Sequence, residues 1–73
     1  MSRSLSSTEI LTALRRAGFE EVSQRGSHFK LRKTGDTTLT VIVKHPAKDV
    51  PTGTLMSILK QAGMTRREFD GYL

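Results

Sequence analysis

The chain is 73 residues long, which is room for one small domain (1–73) and too little for a second core or an appended regulatory module. It carries 12 Lys and Arg against 7 Asp and Glu, a formal charge of +5; Leu, Ile, Val and Phe make up about a quarter of it, above the roughly 20% below which a charged chain is expected to stay disordered. The absence of Cys removes disulfide scaffolds, Cys-ligated zinc and thiol nucleophiles, and no apolar run approaches the ~20 residues of a membrane span or forms a secretion signal, so a soluble cytoplasmic protein is expected.

Ser6-Ser7-Thr8-Glu9 has the spacing of a capping box, with Ser6 as N-cap and Glu9 three residues on. Ile10, Ala13, Leu14 and Ala17 then form one helical stripe, so a first helix is predicted over residues 7–17. Gly18 supplies a left-handed stop, with Phe19 folding back as its apolar closure. From Glu20 to His45 the period changes to 2. Val22 lies in a short edge strand ending around Arg25-Gly26. In the next strand Ser27, Phe29 and Leu31 point one way and His28, Lys30 and Arg32 the other. Thr34-Gly35-Asp36-Thr37 is a turn sequence in which Gly35 can take positive φ. Leu39, Val41 and Val43 alternate with Thr38, Thr40, Ile42 and Lys44 in a third strand.

Pro46 ends that strand and Pro46 to Gly53 is a connecting loop. Leu55, Ile58, Leu59 and Ala62 repeat the helical stripe, and Gly63 stops it. Thr65-x-x-Glu68 is a second capping box, opening a short helix that buries Phe69 and Leu73. The order is α-β-β-β-α with a helical turn appended. This predicts an α+β fold: a three-stranded antiparallel sheet with both helices on one face and the other face wet.

Between Arg25 and Lys48 six cations (Arg25, Lys30, Arg32, Lys33, Lys44, Lys48) meet one acid, Asp36, so this segment holds the whole net charge. Elsewhere Arg3, Arg15, Arg16, Lys60, Arg66 and Arg67 are balanced by Glu9, Glu20, Glu21, Asp49, Glu68 and Asp70. A localised basic patch is the footprint expected for a phosphate backbone, although Lys on a strand edge also serves to discourage aggregation. Of the aromatics Phe19, Phe29, Phe69 and Tyr72, three are claimed by core positions, so no stacking platform for single-stranded bases is evident. Recognition of backbone and shape fits better, the mode associated with double-stranded or structured RNA.

His28 falls on the predicted open face, one strand step from Lys30 and two from Arg32. Imidazole suits proton transfer near neutral pH, and cations at alternate positions would hold phosphate oxygens and steady transition-state charge. The spacing His-x-Lys-x-Arg is a weak signal by itself, since a lone strand histidine is more often an exposed bystander. Ser27 falls on the opposite face unless Gly26 bulges the strand. His45, in Lys44-His45-Pro46, reads either as a solvated loop residue or as a second proton carrier. The central segment offers only Asp36 as a carboxylate, and Asp49 and Asp70 have surface or capping roles, so neither a metal nor another cofactor is expected. The nucleophile elbow, the Walker loop and the dinucleotide fingerprint are absent.

Gly26-Ser27-His28-Phe29-Lys30-Leu31-Arg32 resembles the Gly-Ser-His-x-Lys-Leu-Arg motif of the HicA family of bacterial toxins. Residues 51–64 resemble that family's second-helix signature, Gly-Thr-Leu-x-Ser-Ile-Leu-Lys-Gln-Ala-Gly, and Leu14-x-x-Ala17-Gly18-Phe19 also fits. These motifs cover nearly the whole chain in the right order. The resemblance implies a ribosome-independent, metal-independent mRNA interferase of a type II toxin–antitoxin system, with a fold like the double-stranded-RNA-binding domain. Its implied partners are mRNA and a HicB antitoxin that covers the active site and helps repress the operon, so that DNA is reached only through the antitoxin and no membrane is involved. It also implies His28 as the catalytic histidine. Gly26, Ser27, Lys30, Arg32, Lys44 and His45 are then the RNA-contacting set, with His45 assisting. Phe29 and Met56 depart from the pattern, standing where the family often has a smaller or polar residue and Arg respectively. Two other readings serve the same charge pattern: a non-catalytic RNA-binding module, and a protein-interaction domain whose basic face docks an acidic partner.

Overall fold

A computed structural model describes residues 4–73; Arg3 lies outside them. The elements run α1 (Ser7–Arg16), β1 (Glu20–Arg25), β2 (His28–Lys33), β3 (Leu39–Lys44), α2 (Thr52–Ala62) and α3 (Arg66–Asp70). The strands form one antiparallel sheet in the order β1-β2-β3, as the α+β reading predicts.

Local chemistry sets both ends of α1. The Ser6 hydroxyl accepts from the Glu9 backbone N–H at 3.2 Å, and the Glu9 carboxylate accepts from the Ser6 backbone N–H at 3.1 Å, a closed capping box. At the other end Gly18 has φ 105°. There the Gly18 N–H donates to Arg15 O and the Phe19 N–H to Leu14 O, both at 3.0 Å. This is the Schellman pattern, in which a left-handed residue reverses the chain and the next apolar side chain closes over the end. The same device ends α2: Gly63 has φ 67°, with Met64 N–H on Leu59 O and packed against the core. A second capping box, Thr65 with Glu68, opens α3.

The apolar stripes meet on one side of the sheet. Ile10, Leu11, Ala13 and Leu14 of α1, and Leu55, Ile58, Leu59 and Ala62 of α2, bury against Leu31, Val41 and Val43. Phe69 of α3 is fully enclosed, whereas the predicted burial of Leu73 is not observed: it is 45% exposed. Leu73 follows the end of a five-residue helix, beyond reach of the core, and its carbonyl accepts from the Arg16 guanidinium at 3.2 Å. Removing a large buried side chain from such a core costs about 2–5 kcal/mol, a large share of a small domain's stability.

Three details of the sheet differ from expectation. The second strand begins at His28, because Gly26 and Ser27 form a two-residue turn pairing Arg25 with His28. Gly26 alone carries a positive φ, 57°, the pattern of a type II′ hairpin. The irregularity in pairing falls between Glu21 and Ser23, leaving Val22 as the extra residue of an edge-strand bulge, 45% exposed. Gly35 does not adopt positive φ, since the connection from β2 to β3 spans residues 34–38 and has length enough to turn without a left-handed residue.

The segment from Pro46 to Pro51 is tied down at several points. Val50 is buried, and its N–H donates to Leu5 O at 2.8 Å in an isolated antiparallel bridge. The Ser7 N–H, one of the helix-start donors without an intrahelical acceptor, donates to Ala47 O at 2.8 Å. On the free edge of β3 the N–H of Ile42 donates to the Gln61 side-chain carbonyl at 3.0 Å, so α2 caps the middle of that edge. Among the described residues no helix is long and apolar enough to cross a membrane.

Candidate nucleic-acid interface

The turn at Gly26-Ser27 and the pairing of β2 with β3 set the open face in three cross-strand rows. The first is Arg25–His28–Lys44, the second Ser23–Lys30–Ile42 and the third Glu20–Arg32–Thr40. Phe29 and Leu31 take the inward positions of the pleat, so the residues between them and on either side face outward. Because the Ile42 N–H points away from β2 to Gln61, Lys30–Ile42 is a non-hydrogen-bonded pair. His28–Lys44, two residues along, is another, the class in which facing side chains approach most closely. Ser23, Arg25, His28, Lys30 and Ile42 line a shallow hollow of about 390 Å³.

In the three rows four cations meet one acid, Glu20, which stands opposite Arg32. Among the described residues, Arg25, Lys30, Arg32 and Lys44 are in no ion pair. Four other acids are engaged elsewhere: Glu9 and Glu68 in capping boxes, Glu21 with Arg15 at 3.8 Å, and Asp70 with Arg66 at 2.7 Å. The Thr65 backbone N–H and hydroxyl hold the Glu68 carboxyl below the usual carboxylate range, and Lys33 adds a weaker attraction against a small opposing effect of burial. Lys33 belongs to that side of the sheet. Its ammonium lies 5.9 Å from the centre of the Phe19 ring, so it does not join the open-face cations.

The structure therefore brings His28, Lys30, Arg32 and Lys44 together on one face, with Gly26 and Ser27 in the turn at its end. It places His45 on the other side. The His45 ring meets Phe29 edge-on, with centroids 5.1 Å apart and planes at 81°, and its Nδ1 is 2.7 Å from the Ser7 hydroxyl. Arg25, Ser23 and Ile42 were not singled out from the sequence as members of the site. Pairing arithmetic alone could have found Arg25: a two-residue turn at Gly26-Ser27 makes residues 25 and 28 opposite partners. Ser23 follows from the same register and Ile42 from the pairing of β2 with β3; only the place of Glu20 opposite Arg32 depends on the bulge at Val22.

Chemically, the face offers one exposed imidazole between two cations, a third cation one row on, a fourth, Arg32, opposite Glu20 in the row after that, and a single apolar side chain, Ile42, 42% exposed. No Phe, Tyr or Trp lies in the three rows. Among the described residues no group of three or more His, Cys, Asp or Glu side chains is arranged to hold a metal ion.

Residues 7–64 match the family model described as the HicA toxin of bacterial toxin–antitoxin systems. The match runs from the first residue of α1 to the residue that closes α2, and so includes every position of the three rows. No individual curated protein matches the chain.

Proposed function

The chain belongs to the HicA family, the toxins of bacterial toxin–antitoxin systems, and on that premise we propose that it is a metal-independent endoribonuclease that cleaves mRNA with His28 as its general base. The observation carrying this reading is the row Arg25–His28–Lys44: an exposed imidazole with an unpaired cation opposite it on either strand. His28 would take the proton from a ribose 2′-OH, which attacks the adjacent phosphorus. The bond to the 5′-oxygen breaks, leaving a 2′,3′-cyclic phosphate and a free 5′-hydroxyl. Lys30 and Lys44, with Arg25 and Arg32, would hold the phosphate oxygens as negative charge builds on them. General-base catalysis contributes roughly 10²–10⁴-fold, and one well-placed electrostatic donor about 10²–10³-fold. With the His45 ring turned toward the helices, water is left to protonate the leaving oxygen.

The same face accounts for how such an activity would read its substrate. Its cations suit the sugar–phosphate backbone, and Ile42 offers one apolar contact without a stacking ring, which favours shape over base sequence. The family carries with it an antitoxin partner. A HicB-type antitoxin would silence this toxin by laying acidic groups over the basic rows, and DNA would be contacted through the antitoxin. Purified protein incubated with mixed mRNA in EDTA tests the reading. Cleavage that disappears with His28→Ala supports it, and cleavage undiminished by that change removes His28 from the mechanism. Salt-sensitive RNA binding with no cleavage and no growth arrest would leave the chain as an RNA-binding module.

A further inference from the structure

We infer that His45 is a positioning residue for His28, acting from the opposite side of the sheet; the inference rests on the nuclease reading above. His45 holds both sequence neighbours of His28. Its backbone N–H donates to Ser27 O at 2.7 Å, and its ring packs edge-on against Phe29. The ring is itself anchored to α1. Ser7 is 1% exposed, and its hydroxyl oxygen accepts from the Ala47 N–H at 2.8 Å. The same hydroxyl is hydrogen-bonded to His45 Nδ1, 2.7 Å away, a bond that either tautomer of the ring can make. A chain of contacts thus runs from the first turn of α1 through Ser7 and His45 to the two residues flanking His28, the Ser27 carbonyl and the Phe29 ring.

The chemistry requires such a constraint. His28 stands at the first residue of β2, next to the turn, and its side chain is exposed. No packing around the imidazole itself fixes it, so its position is set by the backbone on either side. A displacement of about 1 Å in a catalytic group can cost as much as 10²-fold in rate. Asn at position 45 would keep a hydrogen-bonding partner near the Nδ1 position for the Ser7 hydroxyl, while Gln would carry its amide out to the Nε2 position and lose that bond.

The test compares His45→Ala, His45→Asn and His45→Gln in the full chain. It reads RNA cleavage, the pH profile of kcat, and the NMR signals of the His28 ring and the Ser27 and His28 amides. Positioning predicts that Ala and Gln lower kcat about tenfold with KM unchanged and the shape of the pH profile kept. Asn should return kcat to within about threefold of the wild type. The His28 and Ser27 signals should move with Ala and Gln and return with Asn. If Ala fails to fold, the Asn–Gln pair decides by the same readings. An unchanged kcat and unmoved His28 signals in the Gln variant overturn the inference. So does an Asn variant as impaired as Gln with one limb of the pH profile missing, which would make His45 a proton carrier. Wild-type protein that cleaves nothing defeats the nuclease reading instead, and the NMR comparison then still decides whether His45 orders the His28 backbone.

Discussion

The two histidines stand seventeen positions apart and next to a common strand pair, yet they live in opposite surroundings. His28 projects from the open face between Arg25 and Lys44, without a packing partner of its own. His45, one residue past Lys44, falls on the other phase of the pleat and is held by Ser7 and Phe29. The difference of one step decides whether an imidazole is a reagent or a brace. A period of 2 sends consecutive side chains to opposite faces, so a strand can carry its chemistry and its anchoring on adjacent residues.

Substitutions that divide the two faces test this contrast. The largest effect is expected from His28→Ala, which should lower cleavage by at least about 10²-fold and leave the thermal midpoint nearly unchanged, as measured by RNA cleavage and calorimetry. Leu31→Ala, on the covered face between Lys30 and Arg32, should do the reverse. It empties a fully buried position and should cost about 2–5 kcal/mol in denaturant unfolding. Residual native protein should keep its specific activity. Arg25→Ala and Lys44→Ala should each weaken RNA binding and reduce the slope of log affinity against log salt by about one, read from titrations at several salt concentrations. Gly63→Ala forces a side chain into a left-handed conformation with Leu39 methyl carbon atoms 3.5 Å and 3.7 Å from the added carbon, and should cost about 1 kcal/mol without touching cleavage. The smallest effect is the pH response of Glu68. Its carboxyl is held below the usual range in the folded chain, so its contribution is present above the unfolded-state value and is lost as the pH falls through the folded one. Glu68→Gln should flatten that part of an acid-unfolding curve.

Much of this architecture is written in local pattern. The stripe Ile10, Ala13, Leu14, Ala17 and the parallel sequences Ala17-Gly18-Phe19 and Ala62-Gly63-Met64 announce two helices and their Schellman ends, because each signal involves residues in one or two turns. The cations of the open face are legible too, as alternation along β2 fixes the side of Lys30 and Arg32 once Leu31 is assigned inward. What escapes is non-local. Arg25 joins His28 only through the hairpin register, and the bulge at Val22 shifts that register by one residue further along. Ser7 and His45 meet across 38 positions of sequence, and no periodicity connects a helix start with a strand end. Lys33 reads as one more cation of a basic run, yet the pleat turns it to the Phe19 ring on the far side.

The amide of Gln61, seated on the N–H of Ile42, has a consequence for how this protein tolerates its own kind. A strand arriving at the rim of the sheet would need that same donor, and it finds the donor already satisfied from within the molecule. Edgewise growth of one molecule onto the next therefore begins with a broken bond at its midpoint, while the kink at Val22 spoils the opposite rim. Strand-to-strand addition at either rim is thereby disfavoured.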